Sequence, residues 1–335
     1  MEVGSGPRPT ATIEVADLGD ALGKAIAPVF GSSPVVVTDD LEVLGWLRRA
    51  GCDGQTMFEV SQGTARSRRN ILLIPTTLAC LPPYPEFHRL FHQSRVLIVP
   101  MVSFDPSIQS VIYTLQMLAA SNFASAAAVN REWLERLQSE TDGLIMTGTG
   151  TNLSAKLRPD LRVMRPHTEP QLGPGEWDGI GSYFEIGMVL DRDQYRAGYD
   201  ATGQISAVGV AVAHHREMPA DKLAHATRAW DLFTRLREEG GFPLRLIVDS
   251  SYVSHVYAGA HDIVEELAEL TQDPRVILTE LAIGSNHALD PHTIDWTLNC
   301  QINEGAYGIH VGIGNGVSGA HIDFICPGVA VAGIE

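Results

Sequence analysis

The 335-residue sequence has only four cysteines, and charged residues make up just 19% of it. Cys52, Cys80, Cys300 and Cys326 lie far apart, form no CxxC pair and mostly have apolar neighbours, which argues for reduced core thiols rather than a disulfide frame or a zinc knuckle. No run approaches the roughly 18 to 20 uninterrupted apolar residues of a membrane helix. The opening "MEVGSGPRPTATIEV" lacks the charged-then-apolar layout of a signal peptide, so a cytoplasmic chain is expected. Basic residues are scarce: 24 Lys and Arg against 40 Asp and Glu leave a formal charge of −16. Neither nucleic acid nor an anionic membrane is expected as a partner, and the short basic cluster "RSRRN" at 66–70 reads as a solvated loop.

Apolar residues, at 44%, suffice for a large core and predict two domains. "PVVVTDD" (34–40), "NILLIP" (70–75) and "RVLIVP" (95–100) are short, rich in aliphatic residues and end in polar or proline stops, as buried parallel strands do. Helical patterns, among them "DLEVLGWLRRAG", "SIQSVIYTLQMLAASNF" and "AAVNREWLERLQSE", fit between and after them. An α/β fold is expected, with an open α/β sheet domain over residues 1–145.

Residues 146–335 are expected to form a mixed α+β domain that carries a metal site. A Pro/Gly-rich break, "TEPQLGPGEWDG" (168–179), precedes "GSYFEIGMVLD" and "QISAVGVAVAHH", which read as antiparallel strands. A strong helix in "ADKLAHATRAWDLFTRLREEGG", strands in "LRLIVDSS" and "RVILTELAIGSN", a helix in "AHDIVEELAELTQD" and a helical segment near 291–305 follow. "GTGTNLS" (148–154) lacks the lysine of a phosphate loop and reads as a tight turn. Asp249-Ser250-Ser251 has no nucleophile-elbow context.

Chemistry concentrates near the end, in "IHVGIGNGVSGAHID" (309–323). Residues two apart on a strand share a face, so His321 and Asp323 point together. A four-residue loop at 315–318 sets His310 opposite Asp323, whereas a two-residue "NG" loop sets it opposite His321. Either register puts all three on one face at cross-strand separations of roughly 4.5 to 5.5 Å. Two imidazoles and a carboxylate suit zinc, manganese, cobalt or ferrous iron. Glycines 312, 314, 316 and 319 clear space around them.

Two glutamates extend the group. Glu280 stands in the apolar strand "VILTELAIGSN", where an unpaired carboxylate is costly to bury. Glu176, in "GPGEWDG", follows a turn that can aim it inward, although such a residue is also at home on a surface loop. His214 and His215 end a strand and can either line a cleft or face water, and His287 in "IGSNHAL" is the nearest other histidine in sequence.

"PGEW", "TELAIGSN", "IHVGIG" and "HID", in that order over residues 145–335, resemble the M29 thermophilic aminopeptidases and their relatives, the 2,5-dihydroxypyridine 5,6-dioxygenases. The peptidase resemblance implies Glu176, Glu280, His310, His321 and Asp323 as ligands of a two-metal site, with Glu176 and Glu280 in catalytic positions, acting on a peptide held between the domains. The dioxygenase resemblance implies one ferrous ion on His310, His321 and Asp323, with Glu176 as an acid/base group for a small aromatic substrate. A third reading keeps the cleft for peptide binding or tailoring in ribosomal-peptide maturation without hydrolysis. A homodimer is also implied.

Overall fold

The computed structural model describes residues 15–62, 70–139, 142–191 and 196–334. The opening residues 1–14 and the basic cluster at 66–69 lie outside that range.

The first half builds a five-stranded parallel sheet in the order Gly54–Thr56, Val35–Thr38, Asn70–Ile74, Arg95–Ile98, Trp177–Gly179. Every residue of Asn70–Ile74 is buried, because helices cover both faces of the sheet. Leu72, Ile74 and Leu97 pack with helices Val15–Phe30 and Ile108–Ala120, while Ile71, Leu73 and Val96 turn the other way onto Phe87, Leu90 and Phe91 of helix Tyr84–Phe91. The last strand, Trp177–Gly179, comes from beyond residue 145, so the chain returns to the first sheet after its first antiparallel hairpin.

The rest forms two seven-stranded sheets packed face to face around one apolar core. One runs His261–Asp262, Tyr252–Ala258, Leu244–Asp249, Tyr199–Ala207, Thr151–Leu157, Gly143–Gly148, Ala330–Ile334. "GTGTNLS" is the tight turn of its Gly143–Gly148/Thr151–Leu157 hairpin, with Gly150 at φ +73°. The other places Glu185–Asp191, Leu278–Gly284, Gly308–Ile313, His321–Pro327 and Gly209–Ala213 side by side, all antiparallel. Helices Leu223–Glu238 and Val264–Thr271 close the core with Ala229, Phe233, Leu267 and Leu270.

Two local expectations are corrected. "QISAVGVAVAHH" is not one strand: it breaks at Val208, and its two parts enter different sheets. Residues 291–305 are irregular apart from one 3-10 turn, Gln301–Asn303. There Asp290 and Asp295 accept hydrogen bonds from the amides of His292 and Thr297, and the Asp295 amide donates to the Tyr113 hydroxyl. Such local bonds compete with a helical ladder.

Among the described residues, no helix is long and apolar enough to cross a membrane.

Candidate metal centre

The second antiparallel sheet uses its two faces differently. Ile186, Met188, Leu281, Ile283, Ile309, Val311, Ile322 and Phe324 point into the core. Strand alternation sends Glu185, Glu280, His310, His321 and Asp323 to the opposite face, towards the parallel sheet's end of the molecule. A register shift between Leu278 and Glu280 marks a bulge just where Glu280 enters the ladder.

The hairpin register differs from both expected ones. Ile313 faces Ile322, Gly312 faces Asp323 and His310 faces Ile325, so the connection between the strands spans 314–320. All three side chains still share a face, because the shift is by an even number of residues. Asn315 folds the connection by accepting from the amides of Val317 and Ser318, and the Gly316 carbonyl accepts from the His215 amide at 2.7 Å.

Gly312 lies between Glu280 and Asp323 on the flanking strands. A Cβ there would stand 2.7 Å from Asp323 Oδ1, 2.8 Å from His321 Cε1 and 3.0 Å from Glu280 Cβ. At Gly187, one strand further, it would meet Glu280 Oε1 at 2.6 Å. Both positions must lack a side chain for the polar groups to converge.

Glu280, His310 and Asp323 each offer a ligand atom, all within 4.8 Å of one another. His321 Nε2 lies 3.2 Å from Asp323 Oδ1 and 3.5 Å from Glu280 Oε2, and His310 Nε2 lies 3.6 Å from Glu185 Oε2 and 3.8 Å from Glu280 Oε1. Each imidazole has its other nitrogen on a backbone carbonyl: His310 Nδ1 on Glu304 at 3.2 Å, His321 Nδ1 on Gly314 at 3.0 Å. A carbonyl can only accept, so these contacts set the tautomer and leave Nε2 facing the carboxylates, the arrangement that metal-binding histidines adopt.

Four of the five expected site residues are thus together, and Glu176 is not. Its backbone carbonyl accepts from Val96 at the edge of the parallel sheet, and its exposed side chain turns back to accept from the Gly173 amide at 2.6 Å. Glu185 supplies the additional carboxylate instead, with Glu304 beside it, and both line the same cavity. Glu185 sits in the apolar run "SYFEIGMV", where the reasoning used for Glu280 applies equally. Glu304 follows a single 3-10 turn and has no periodic signal.

The group carries more negative than positive charge. Although burial opposes it, the hydrogen bond and charge of Glu280, with Glu185 and Asp323, raise His310 to about 9. His321 rises well above its ordinary value against the same burial, through Asp323 and Glu280. Burial pushes Glu280 up, but hydrogen bonds from both histidines outweigh it and hold the carboxyl below its usual range. Burial pushes Glu185 up to about 7, and burial with the charges of Asp323, Glu185 and Glu280 pushes Glu304 well up. Protons are therefore retained to offset crowded carboxylates, a role that a divalent cation fills directly. Buried Glu304 Oε1 has no hydrogen-bond partner, and Asp323 Oδ1 has only the His321 imidazole at 3.2 Å, so both keep lone pairs that suit a cation.

The cluster opens onto a cavity of about 420 Å³. Its far wall is mainly apolar, with Pro100, Phe104, Met164, Val189 and Ala213, and His214 and His215 also line it. His214 Nδ1 and Gln301 Oε1 are buried there without partners. His287 stays outside, its ring 4.2 Å from that of Tyr307.

Among the solved structures similar to the chain are two that cover nearly its whole length. One is a 2,5-dihydroxypyridine dioxygenase from Pseudomonas putida KT2440, 13% identical, with 97% of this chain and 94% of that one covered at a TM-score of 0.49. The other is wild-type AmpT from Thermus thermophilus, 14% identical, with 95% of each chain covered, also at 0.49. No curated protein matches the sequence. A family profile matches residues 31–334, and the chain belongs to that family, described as crocagin biosynthetic protein CgnE/B.

Proposed function

We propose that the protein is a metal-dependent enzyme that acts on a peptide or peptide-like intermediate in a biosynthetic pathway, with its substrate in the cavity above Glu280, His310 and Asp323. The supporting observation is the convergence of those three ligand atoms within 4.8 Å, at the floor of a cavity with an apolar far wall. Membership of a biosynthetic family favours tailoring over general proteolysis.

Glu280, His310 and Asp323 would hold the cation, with His321 and Glu185 adjoining. A bound divalent ion supplies Lewis acidity and a more acidic water. The chain supplies the rest. The carbonyls of Glu304 and Gly314 fix the two imidazoles, Pro100 and Phe104 exclude water, and Gln301 and His214 offer polar atoms to the amides of an extended substrate.

The test combines purified protein, one divalent metal at a time and the peptide precursor of the pathway, read by mass spectrometry. A metal-dependent change in peptide mass, lost in Glu280→Gln and His310→Ala, is the expected result. Oxygen uptake with ferrous iron would replace hydrolytic chemistry by oxygenation. Tight peptide binding that needs no metal and leaves the mass unchanged would reduce the protein to a binding factor.

A further inference from the structure

A second cavity lies where the last turns of helix Leu223–Glu238 meet residues 296–297 and the edge strand Gly209–Ala213. Its volume is about 170 Å³, and four of its lining residues carry aromatic rings: Trp230, Phe233, Phe242 and Trp296. An apolar cavity of about 150 Å³ holds one benzene ring, so the space here suits a single ring with a small substituent. The strand is adapted to this wall, since a Cβ at Gly209 would stand 2.0 Å from the Trp296 ring and push the indole away.

Arg237 is the only cationic side chain on the lining. Its guanidinium lies 3.7 Å over the Phe242 ring and donates to the Val208 carbonyl at 3.0 Å. Among the described residues no carboxylate lies within ion-pair distance of it, and Glu238 at the rim is exposed. Burial draws its pKa down, opposed by the charge of Asp295. A part-buried guanidinium with spare donors, beside aromatic walls, matches a carboxylate attached to a ring: the ring gains buried apolar contact and the carboxylate a planar, charge-assisted partner.

We propose that this pocket is a second binding site, separate from the metal centre, for a planar aromatic ring bearing a carboxylate. A free aromatic acid and the C-terminal aromatic residue of a peptide present the same chemistry.

Calorimetric titration of the full-length chain tests the site, with EDTA present so that the metal centre has no part in the result. The probes are N-acetyl-L-phenylalanine, its amide, phenylacetate and a short peptide ending in phenylalanine. One-site binding of the acid is expected, with the amide weaker by about tenfold or more. Thr234→Trp, which adds a ring at an exposed helix position on the lining, abolishes binding without lowering the melting temperature. Arg237→Gln makes acid and amide equal. Tighter binding of phenylacetate or of the peptide supports the site and identifies its source. No saturable binding of the acid, equal binding of acid and amide to the unmodified chain, or unchanged binding in a normally folded Thr234→Trp chain would each overturn the proposal.

Discussion

The parallel sheet and the site-bearing antiparallel sheet are both deeply buried, but they spend that burial differently. Along Asn70–Ile74, successive side chains go to two apolar layers. Along Gly308–Ile313 every residue is also buried, yet only Ile309, Val311 and Ile313 face the core, while His310 faces carboxylates. The parallel sheet is built for stability. The antiparallel one gives up half its burial to charges that stabilise nothing by themselves, and buried like charges of this kind are the usual mark of a functional site.

Substitutions can sharpen that contrast. The largest expected effect is in the parallel sheet, where Leu72 is fully buried. Leu72→Ala should cost about 2–5 kcal/mol in chemical denaturation and leave metal content per folded chain unchanged. Next is Gly312→Ala, whose methyl group would meet Asp323 Oδ1 at 2.7 Å. It should lose stoichiometric metal and roughly 1–3 kcal/mol of stability, with elemental analysis and a melt as paired readouts.

Glu304→Gln should act in the opposite direction. Burial raises the Glu304 pKa, so the folded chain keeps a proton that the unfolded chain releases, and the unmodified protein loses stability as pH rises above the ordinary value of 4.5. In EDTA at neutral pH the glutamine variant should therefore melt higher than the unmodified protein, and the gap should shrink towards pH 4. A lower melting temperature at neutral pH would mean that the carboxyl is not strained.

The smallest effect concerns Asp39, which joins the ends of two parallel strands by accepting from the Thr76 amide and hydroxyl and from the Thr77 amide and hydroxyl. Burial opposes ionisation there, but these donors hold the carboxyl below its ordinary 3.8. Its contribution is present above that value and is lost as pH falls through the lowered pKa. Asp39→Asn should consequently lower stability modestly at neutral pH and flatten the acid limb of the stability profile, the two chains converging as pH falls through the lowered pKa.

Much of this contrast was legible in the sequence. Short aliphatic runs ending in polar or proline stops give the parallel strands, and a lone glutamate in an apolar strand singles out Glu280, which lies beside His310 and Asp323. The exact hairpin register did not matter to the site, since any even shift keeps His310, His321 and Asp323 on one face. The failures came from long-range pairing. Glu176 looked suitable because it follows a Pro/Gly turn, but its backbone is drawn into the ladder with Val96, a contact across 80 residues that no local pattern encodes. Glu185, in "SYFEIGMV", carries the same sequence signal as Glu280. The break at Val208 and the irregular 291–305 segment depend on tertiary partners such as Ile325 and Tyr113.

Glu280, His310 and Asp323 offer the donors of a divalent-cation site, and elemental analysis of the protein as purified, beside Glu280→Gln, decides whether they hold one. The predicted result is stoichiometric zinc, manganese, cobalt or iron in the unmodified chain and its loss in a variant that remains folded by circular dichroism. Metal well below one ion per chain in the unmodified protein, with no uptake on reconstitution, would contradict it.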